Sequence, residues 1–405
     1  METSRLKFRD WASLPEGVVN LISEKVKSVT DHVRFRAVCS PWRSASLPKP
    51  RHLPPQLPWL IIPWGSRDKN DDGIRVFYDL WEDKMRKLYL PETIGMVCCA
   101  SCRGWLLLVS TEGKRLLLLN PLTGARIRLP PFATPFKDLN DQRDDTRYDH
   151  IWSDSYLGNF LIKKVTFSED PTNPNCLIAV FLQTFNVFFY CHVGDLCWTR
   201  VDSHHKNYFF KPMDAMYYNG WFYLLCDRAM EIIEPNKPKH SSFYLLEETF
   251  DYVKMFLLEG KSGVLVVGFY NTEEEGGGGG DTLAAHDLNE GIVKCPKQKV
   301  DVYQYQEPRK FNQVTDTSNN VFFCGSGVFP HLTICSDEWD FLDGGCMYME
   351  CIDLSLEGEY ESESSYSIYI AKMDNGMFEP LVSNIRKKPR VCPSAHTTWF
   401  QPSFF

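Results

Sequence analysis

The chain has 405 residues and a formal net charge of −8, with 43% hydrophobic, 24% charged and 14% aromatic residues. This composition excludes a disordered or collagen-like chain, and the length allows either one large core or a small module beside a larger domain. The high aromatic content favours packed β-sheets over a helical bundle.

Charge is distributed unevenly along the chain. Residues 1–52 carry ten Lys and Arg against five Asp and Glu, a net charge of +5, whereas residues 53–405 carry 34 against 47, a net charge of −13. A basic module can bind nucleic acid. Here, however, the basic residues are scattered through an amphipathic helical pattern, without a cationic run or an aromatic platform for stacked bases. We therefore expect an acidic protein partner and no nucleic acid.

The fourteen cysteines raise the question of a metal site or disulfides. Cys98, Cys99 and Cys102 are the closest group, but they contain a single Cys-x-x-Cys pair with no second pair at zinc-finger spacing. Neither a signal peptide nor an apolar stretch of membrane-spanning length occurs. We therefore predict reduced thiols, no metal, no cofactor, no membrane association, and localisation in the cytoplasm and/or nucleus.

Residues 8–50 have the pattern of three short helices. Ser13-Leu14-Pro15-Glu16 is typical of a capping box, in which Ser13 and Glu16 bond each other's amide groups. Thr30 and Asp31 predict the cap of a second helix, and Ser40-Pro41 predicts the start of a third. One face of the first helix collects the apolar residues Leu14, Val18, Leu21, Ile22 and Val26.

So few residues cannot bury all of these apolar side chains among themselves. Leu14, Ile22, Val38 and Trp42 therefore need cover, either from the rest of the chain or from another protein. Periodicity alone is equally compatible with a helical cap on the larger domain and with a docking module.

The residues in this region resemble the F-box. The resemblance is carried by Trp11-Ala-Ser-Leu14-Pro15-Glu16, by Leu21-Ile22, and by Arg34-x-x-x-Val38-Cys39 followed by Trp42-Arg43. It implies three helices that dock on an acidic Skp-type adaptor, which tethers them to cullin and RING subunits. Gly17-Val18-Val19 departs from the family, in which an acidic residue and leucines are common, and this lowers the expected affinity.

The same resemblance implies which side chains contact the adaptor. Trp42 is expected to be the interface hot spot, where truncation costs about 2 kcal/mol or more. The implied adaptor-binding residues are Leu14, Pro15, Leu21, Ile22, Val38, Cys39 and Trp42.

Residues 51–58 form a proline-rich connector, and residues 59–405 have a mainly β pattern. Short apolar runs punctuated by turn residues recur at intervals of about 40–50 residues. Trp59–Ile62, Ile74–Tyr78 and Lys87–Leu90 form the first set, and Asn219-Gly220 predicts a hairpin in the fourth. We predict a β-propeller of six or seven four-stranded blades, with a two-sheet sandwich as the alternative.

This region resembles domain of unknown function 295, a kelch-like propeller that follows F-boxes in land plants. The resemblance is carried by Leu57–Pro63, Asn120–Gly124 with Leu129–Pro131, Gly194–Trp198 and Cys346–Tyr348, in that order. It covers nearly the whole chain and supplies no substrate class.

Motifs of the common phosphate-binding loops, zinc proteases and serine hydrolases do not occur. We therefore predict a non-catalytic adaptor subunit of an SCF-type (Skp-cullin-F-box) E3 ubiquitin ligase, which bridges the adaptor and an unknown target protein. The alternatives are a scaffold that binds the adaptor without ubiquitin transfer, and a propeller enzyme with a structural helical cap. The enzyme would require titratable side chains with shifted pKa values at the central mouth.

The long insertion at residues 138–159 is the first candidate for substrate contact, because loops of this length in compact domains are often functional. Its aromatic side chains are Tyr148, Trp152 and Tyr156.

Overall fold

A computed structural model gives the fold as three N-terminal helices followed by β-structure. The residues it describes are 10–48, 50–53, 56–62, 64, 71–110, 115–131, 162–182, 187–202, 212–226, 229–235, 241–245, 254–260, 263–271, 298–306, 310–325, 332–339, 342–354, 364–373, 378–386 and 398–403.

The helices are α1 (Glu16–Ser23), α2 (Val29–Ala37) and α3 (Ser40–Ser44). The predicted capping box is wrong. The Ser13 hydroxyl donates to the Asp10 carbonyl at 2.7 Å within a short 3₁₀ turn, and Pro15 is the N-cap of α1. Because Pro15 is extended, with φ −55° and ψ 138°, the helix begins only at Glu16, and Ser13 lies too far upstream to cap it.

The predicted cap of the second helix is wrong, and the predicted start of the third helix is confirmed. Thr30 and Asp31 lie inside α2, and the cap is Ser28, whose hydroxyl accepts from the Asp31 amide at 3.4 Å. Helix α3 begins at Ser40 with Pro41 in its first turn, as predicted.

The rest of the described chain forms six sheets arranged as the blades of a β-propeller. Blade 1 has the strand order β25-β1-β2-β3, blade 2 β4-β5-β6-β7, blade 3 β8-β9-β10-β11, blade 4 β12-β13-β14-β15, blade 5 β16-β17-β18-β19 and blade 6 β21-β20-β22-β23-β24. The strands are β1 (Trp59–Ile62), β2 (Ile74–Asp79), β3 (Lys84–Tyr89), β4 (Met96–Cys102), β5 (Trp105–Ser110), β6 (Leu116–Leu119), β7 (Arg126–Leu129), β8 (Ile162–Phe167), β9 (Leu177–Leu182), β10 (Val187–His192), β11 (Thr199–Asp202), β12 (Pro212–Tyr218), β13 (Trp221–Cys226), β14 (Ala229–Ile233), β15 (Ser241–Leu245), β16 (Lys254–Gly260), β17 (Gly263–Asn271), β18 (Gln298–Gln306), β19 (Lys310–Gln313), β20 (Asn320–Gly325), β21 (Leu332–Cys335), β22 (Cys346–Leu354), β23 (Ser364–Lys372), β24 (Phe378–Arg386) and β25 (Thr398–Phe400).

The predicted propeller is confirmed, and the blade number is six. The hairpin predicted at Asn219-Gly220 is also confirmed, since Tyr218 pairs with Trp221 across it. Asn219 and Gly220 have φ values of +46° and +92°, the left-handed pair that a two-residue turn of this type needs.

Blade 6 departs from the predicted four-stranded pattern. After the antiparallel pair of β20 and β21, the chain returns to the other edge of β20, and β22 pairs there in parallel, with Val321 opposite Cys346. The blade therefore has five strands.

Blade 1 closes the ring with strands from distant parts of the chain. Strand β25 pairs antiparallel with β1, with Trp59 opposite Phe400 and Leu60 opposite Trp399. Trp399 and Phe400 are fully buried, and the Trp399 carbonyl accepts from the Ser101 hydroxyl of blade 2 at 2.7 Å. The last strand of the described chain therefore completes the first blade and contacts the second, which closes the ring.

The inner strands of blades 3, 4 and 5 are joined by a buried charge pair. Lys164 on β8 lies 2.7 Å from the Asp214 carboxylate on β12, and both side chains are buried. The same carboxylate accepts from the Leu257 amide on β16 at 2.8 Å. Each charged group is thus paired, which is the condition for burying it.

Candidate functional site

The helices expose much of their apolar surface. On α1, Val18, Leu21 and Ile22 lie at the spacing of one helical face, and Leu21 is 61% exposed. Val33 on α2 and Val38 after it are also exposed, Val38 by 58%. We call this set, Val18, Leu21, Ile22, Val33 and Val38, the module surface.

Other sides of the same helices are buried. Val19 and Ser23 are buried on α1, and Val29, His32 and Phe35 are buried on α2. The apolar face predicted for α1 therefore points to solvent, while the side marked by Val19 faces inward. This arrangement leaves the module surface available to another molecule.

Trp42 is half-buried, and its ring packs against the Phe35 ring of α2. Its ring centroid lies 4.6 Å from that of Phe35 at an interplanar angle of 34°. Its Nε1–H donates to the Trp11 carbonyl at 3.0 Å, which ties the 3₁₀ turn to α3. Phe35 is therefore the support of Trp42, a role that the sequence reasoning missed although the spacing of His32 and Phe35 marks the inner face of α2.

The remaining predicted adaptor-binding residues divide by exposure. Pro15 is exposed, Leu14 and Cys39 are half-buried, and Ile22 is 39% exposed. Their role in adaptor binding stays a prediction. Val18 and Val33 were not among the implied contacts, yet both side chains are exposed.

The three predicted substrate-contacting residues lie outside the described residues. They are Tyr148, Trp152 and Tyr156.

His32 holds α2 against the segment that follows α3. Its Nε2 lies 2.8 Å from the Leu47 carbonyl, and because a carbonyl only accepts, this nitrogen carries the proton. Burial lowers the pKa of His32 below 6.5, and the charges of Arg36 and His52 lower it further, against the opposing effect of the Leu47 bond. His32 is therefore neutral at pH 7.

Part of the basic charge of the module fixes α2 to α3. The Arg36 guanidinium donates to the Arg43 carbonyl at 3.0 Å and also bonds the Ser46 carbonyl. In return, the Arg43 guanidinium donates to the Arg36 carbonyl at 3.1 Å. None of these acceptors is an acid, so these contacts do not neutralise the two guanidinium charges.

The propeller itself contains a polar cleft between blades 5 and 6. Its volume is about 590 Å³, and its lining includes Asp301, Asp316, Asp343 and Lys372. The lining is thus acidic overall, whereas residues 1–52 carry a net positive charge.

Six of the described cysteines are buried core residues, whereas Cys197 is exposed. Cys99 and Cys191 are buried, and burial raises the pKa of the Cys191 thiol to about 12 and that of Cys99 well above its ordinary value. Protonated thiols of this kind are poor nucleophiles. Among the described residues, no group of three or more His, Cys, Asp or Glu side chains is placed to hold a metal ion. None of the described helices is long and apolar enough to span a bilayer.

Taken together, six blades behind three short helices define a β-propeller protein with an N-terminal helical module. Residues 77–372 match the family model described as KIB1-4 beta-propeller, and the chain belongs to this family. The resemblance to domain of unknown function 295 stays a prediction.

The chain is related to plant F-box proteins. It is 24% identical to F-box protein SKIP23 of Arabidopsis thaliana over 342 residues, which are 78% of each chain. It is 25% identical to F-box protein At1g10110 of the same plant over 230 residues, or 53% of each chain. It is 27% identical to F-box/kelch-repeat protein At3g18720, also of Arabidopsis thaliana, over 190 residues, or 44% of this chain and 43% of that one. The chain thus spans most of SKIP23 and about half of the other two.

Similarity to solved structures is remote. Virginiamycin B lyase from Staphylococcus aureus shares 9% sequence identity at a TM-score of 0.34, over 81% of this chain and 80% of that one. This likeness indicates nothing about function.

Proposed function

We propose that this protein is the substrate-recognition subunit of an SCF-type E3 ubiquitin ligase. The helical module binds a Skp-type adaptor, which connects it to cullin and RING subunits, and the propeller binds a target protein. Neither nucleic acid nor membrane is a partner, and the complex acts in the cytoplasm and/or nucleus.

The observation that carries the proposal is the exposure of the module surface. Leu21 and Val38 are each more than half exposed, with values of 61% and 58%. Covering apolar area contributes about 25 cal/mol per Å², so a partner that buries such side chains gains substantial affinity. The module's net charge of +5 suits an acidic partner, and the relatives named above are F-box proteins.

The protein contributes proximity rather than chemistry. By holding a target beside the ubiquitin-charged enzyme, it converts a bimolecular encounter into a reaction within one complex and raises the effective concentration of target lysines. This role requires no catalytic residue.

The test is the affinity of the purified full chain for a purified plant Skp-type adaptor, measured by calorimetry. We expect Leu21→Asp and Val38→Asp each to weaken binding at least about thirtyfold, as for an interface hot spot. Leu196→Asp is the matched control, because Leu196 is 90% exposed on the propeller. Equal affinity of all four proteins would contradict the proposal.

A second measurement identifies the target. Proteins captured from plant cells by the wild type are compared with those captured by Leu21→Asp. Adaptor and cullin should disappear from the variant, while proteins bound by the propeller should remain. If none of the retained proteins is ubiquitinated by the reconstituted complex, the chain is a scaffold and the ligase assignment is wrong.

A further inference from the structure

Two consecutive residues anchor the connector between the helices and the propeller. The Gln56 side chain accepts from the Val29 amide at 2.7 Å and donates to the Lys27 carbonyl at 2.9 Å. The next residue, Leu57, is buried in a core cluster of the propeller with Leu60 and Trp399. The contact with the helices and the contact with the propeller core are therefore adjacent in the chain, with no linker residue between them to act as a hinge.

The bond to Val29 satisfies a backbone donor that the helix itself cannot satisfy. Val29 is the first residue of α2, and the first amides of a helix have no acceptor within it. Gln56 is itself buried, with 7% of its surface exposed, so water is a poor replacement acceptor. Tilting α2 away from the propeller would leave a buried N–H group without an acceptor, and such a group is costly.

Apolar packing at this junction is incomplete. A cleft of about 240 Å³ lies between the start of α2, at Ser28 to Asp31, and the propeller residues Trp81, Glu82 and Trp339. A closed apolar interface would fix the helices by packing alone. Because the cleft interrupts such an interface, their orientation depends on the individual polar contacts.

A second polar contact crosses the junction. The Arg34 guanidinium lies 3.4 Å from the Glu82 carboxylate in the turn between β2 and β3. Glu82 also pairs with Arg86 at 2.8 Å. Arg34 is 55% exposed, and exposed ion pairs contribute little to stability. The buried Gln56 contacts are therefore the stronger restraint.

We propose that Gln56 is a positioning residue that fixes the helical module on blade 1, so that an adaptor bound to the module and a target bound to the propeller are held at one distance and orientation. This inference rests on the proposed function. It adds that the chain acts as a rigid arm rather than as two modules on a flexible tether, and rigid placement keeps the effective concentration of target lysines high.

The variants that test the inference remove different contacts at the junction. Gln56→Leu removes both hydrogen bonds at similar volume, and Gln56→Asn keeps the amide but is one methylene too short to span Val29 and Lys27 together. Glu82→Gln removes the charge that faces Arg34. Gln313→Leu is the matched control, because Gln313 is an exposed glutamine on β19.

The first measurement is hydrogen exchange of the full chain without partners. We expect the first-turn amides of α2 to exchange roughly tenfold faster in Gln56→Leu and Gln56→Asn, because a protecting bond is lost. Glu82→Gln and Gln313→Leu should match the wild type. Unchanged exchange in both Gln56 variants would overturn the inference whether or not the adaptor binds. If Gln56→Leu fails to fold, Gln56→Asn decides the outcome.

The second measurement is the pattern of ubiquitin on the chain's own lysines in a reconstituted ligase, mapped by mass spectrometry. We expect the wild type to be modified at few sites. The Gln56 variants should be modified at more sites, with an adaptor affinity within twofold of the wild type. An unchanged pattern would overturn the inference, whereas failure of the wild type to bind the adaptor would overturn the proposed function instead.

Discussion

Phe35 supports Trp42 from below, with ring centroids 4.6 Å apart, while the indole N–H of Trp42 bonds the Trp11 carbonyl at 3.0 Å. Trp42 therefore helps to pack the helices together and is also a candidate contact residue. A substitution at Trp42 acts on both properties, so the two effects have to be separated by measurement.

We predict that Trp42→Ala destabilises the helical module by about 2 kcal/mol, less than for a fully buried tryptophan because the side chain is half-buried. Hydrogen exchange of α2 and α3 in the full chain measures this loss. Trp42→Phe should retain most of the stability, since a ring still stacks on Phe35. Trp221→Ala on the propeller is the control, and its effect should not reach the helices. Equal exchange in Trp42→Ala and the wild type would contradict the prediction.

The charge of the module predicts a salt-dependent complex. Residues 1–52 have a net charge of +5, and electrostatic attraction to an acidic adaptor is screened as ionic strength rises. We expect the association rate to fall several-fold between 50 and 500 mM salt, on the order seen for charge-steered partners, with a smaller change in the dissociation rate. Stopped-flow fluorescence measures both. A rate independent of salt would show that apolar contacts alone direct the encounter.

The buried pair of Lys164 and Asp214 predicts an asymmetry between single and double substitutions. Lys164→Met leaves the Asp214 carboxylate buried without its cation and should destabilise the propeller by about 3–5 kcal/mol. Lys164→Met with Asp214→Leu removes both charges and should cost less, although the Leu257 amide then loses its acceptor. Urea denaturation of the three proteins gives the comparison. A double variant less stable than Lys164→Met would contradict it.

The environment of His32 predicts that the module loses stability in mild acid. Burial, followed by the charges of Arg36 and His52, holds the pKa of His32 in the folded chain below its ordinary value of 6.5. At pH values between the folded pKa and 6.5, the unfolded chain therefore binds a proton that the folded chain does not. The contribution of His32 is complete above pH 6.5 and is lost as the pH falls through the folded pKa. Exchange of α2 amides should therefore be faster, relative to the intrinsic rate, at pH 5.5 than at pH 7.5.

His32→Gln is the control for this prediction, because its amide can still donate a hydrogen bond but does not titrate. The difference between pH 5.5 and 7.5 should be smaller in this variant than in the wild type. The same pH dependence in both proteins would assign it to other groups.

The sequence predicted the repeated architecture well, because its signals are local. Asn219-Gly220 specifies a hairpin turn by backbone conformation alone, and the apolar runs at Trp59 and Ile74 coincide with β1 and β2. The parallel pairing of β20 and β22 depends on a return path of the chain across blade 6, for which neighbouring residues carry no signal. The exact number of blades also depended on closure, which joins residues far apart in sequence.

Only part of the candidate site could be predicted, because the sequence carries local signals and not contacts between distant residues. Helical spacing identified Leu21 and Ile22 as one face, but it could not decide whether the propeller or solvent lies opposite; the structure exposes both side chains. Ser13 was misassigned because the capping pattern does not register that Pro15 stays extended and delays the helix. The role of Gln56 was missed because a bond between residues 56 and 29 has no periodic signature.

The pairing of β25 with β1 also constrains the order of events during synthesis. Blade 1 lacks its inner strand until Thr398–Phe400 have left the ribosome, so the buried faces of Trp59 and Leu60 stay uncovered while the other five blades are made. The helices emerge long before this and can form early, because their contacts are local. A nascent or truncated chain would therefore present a finished helical module on an unfinished ring.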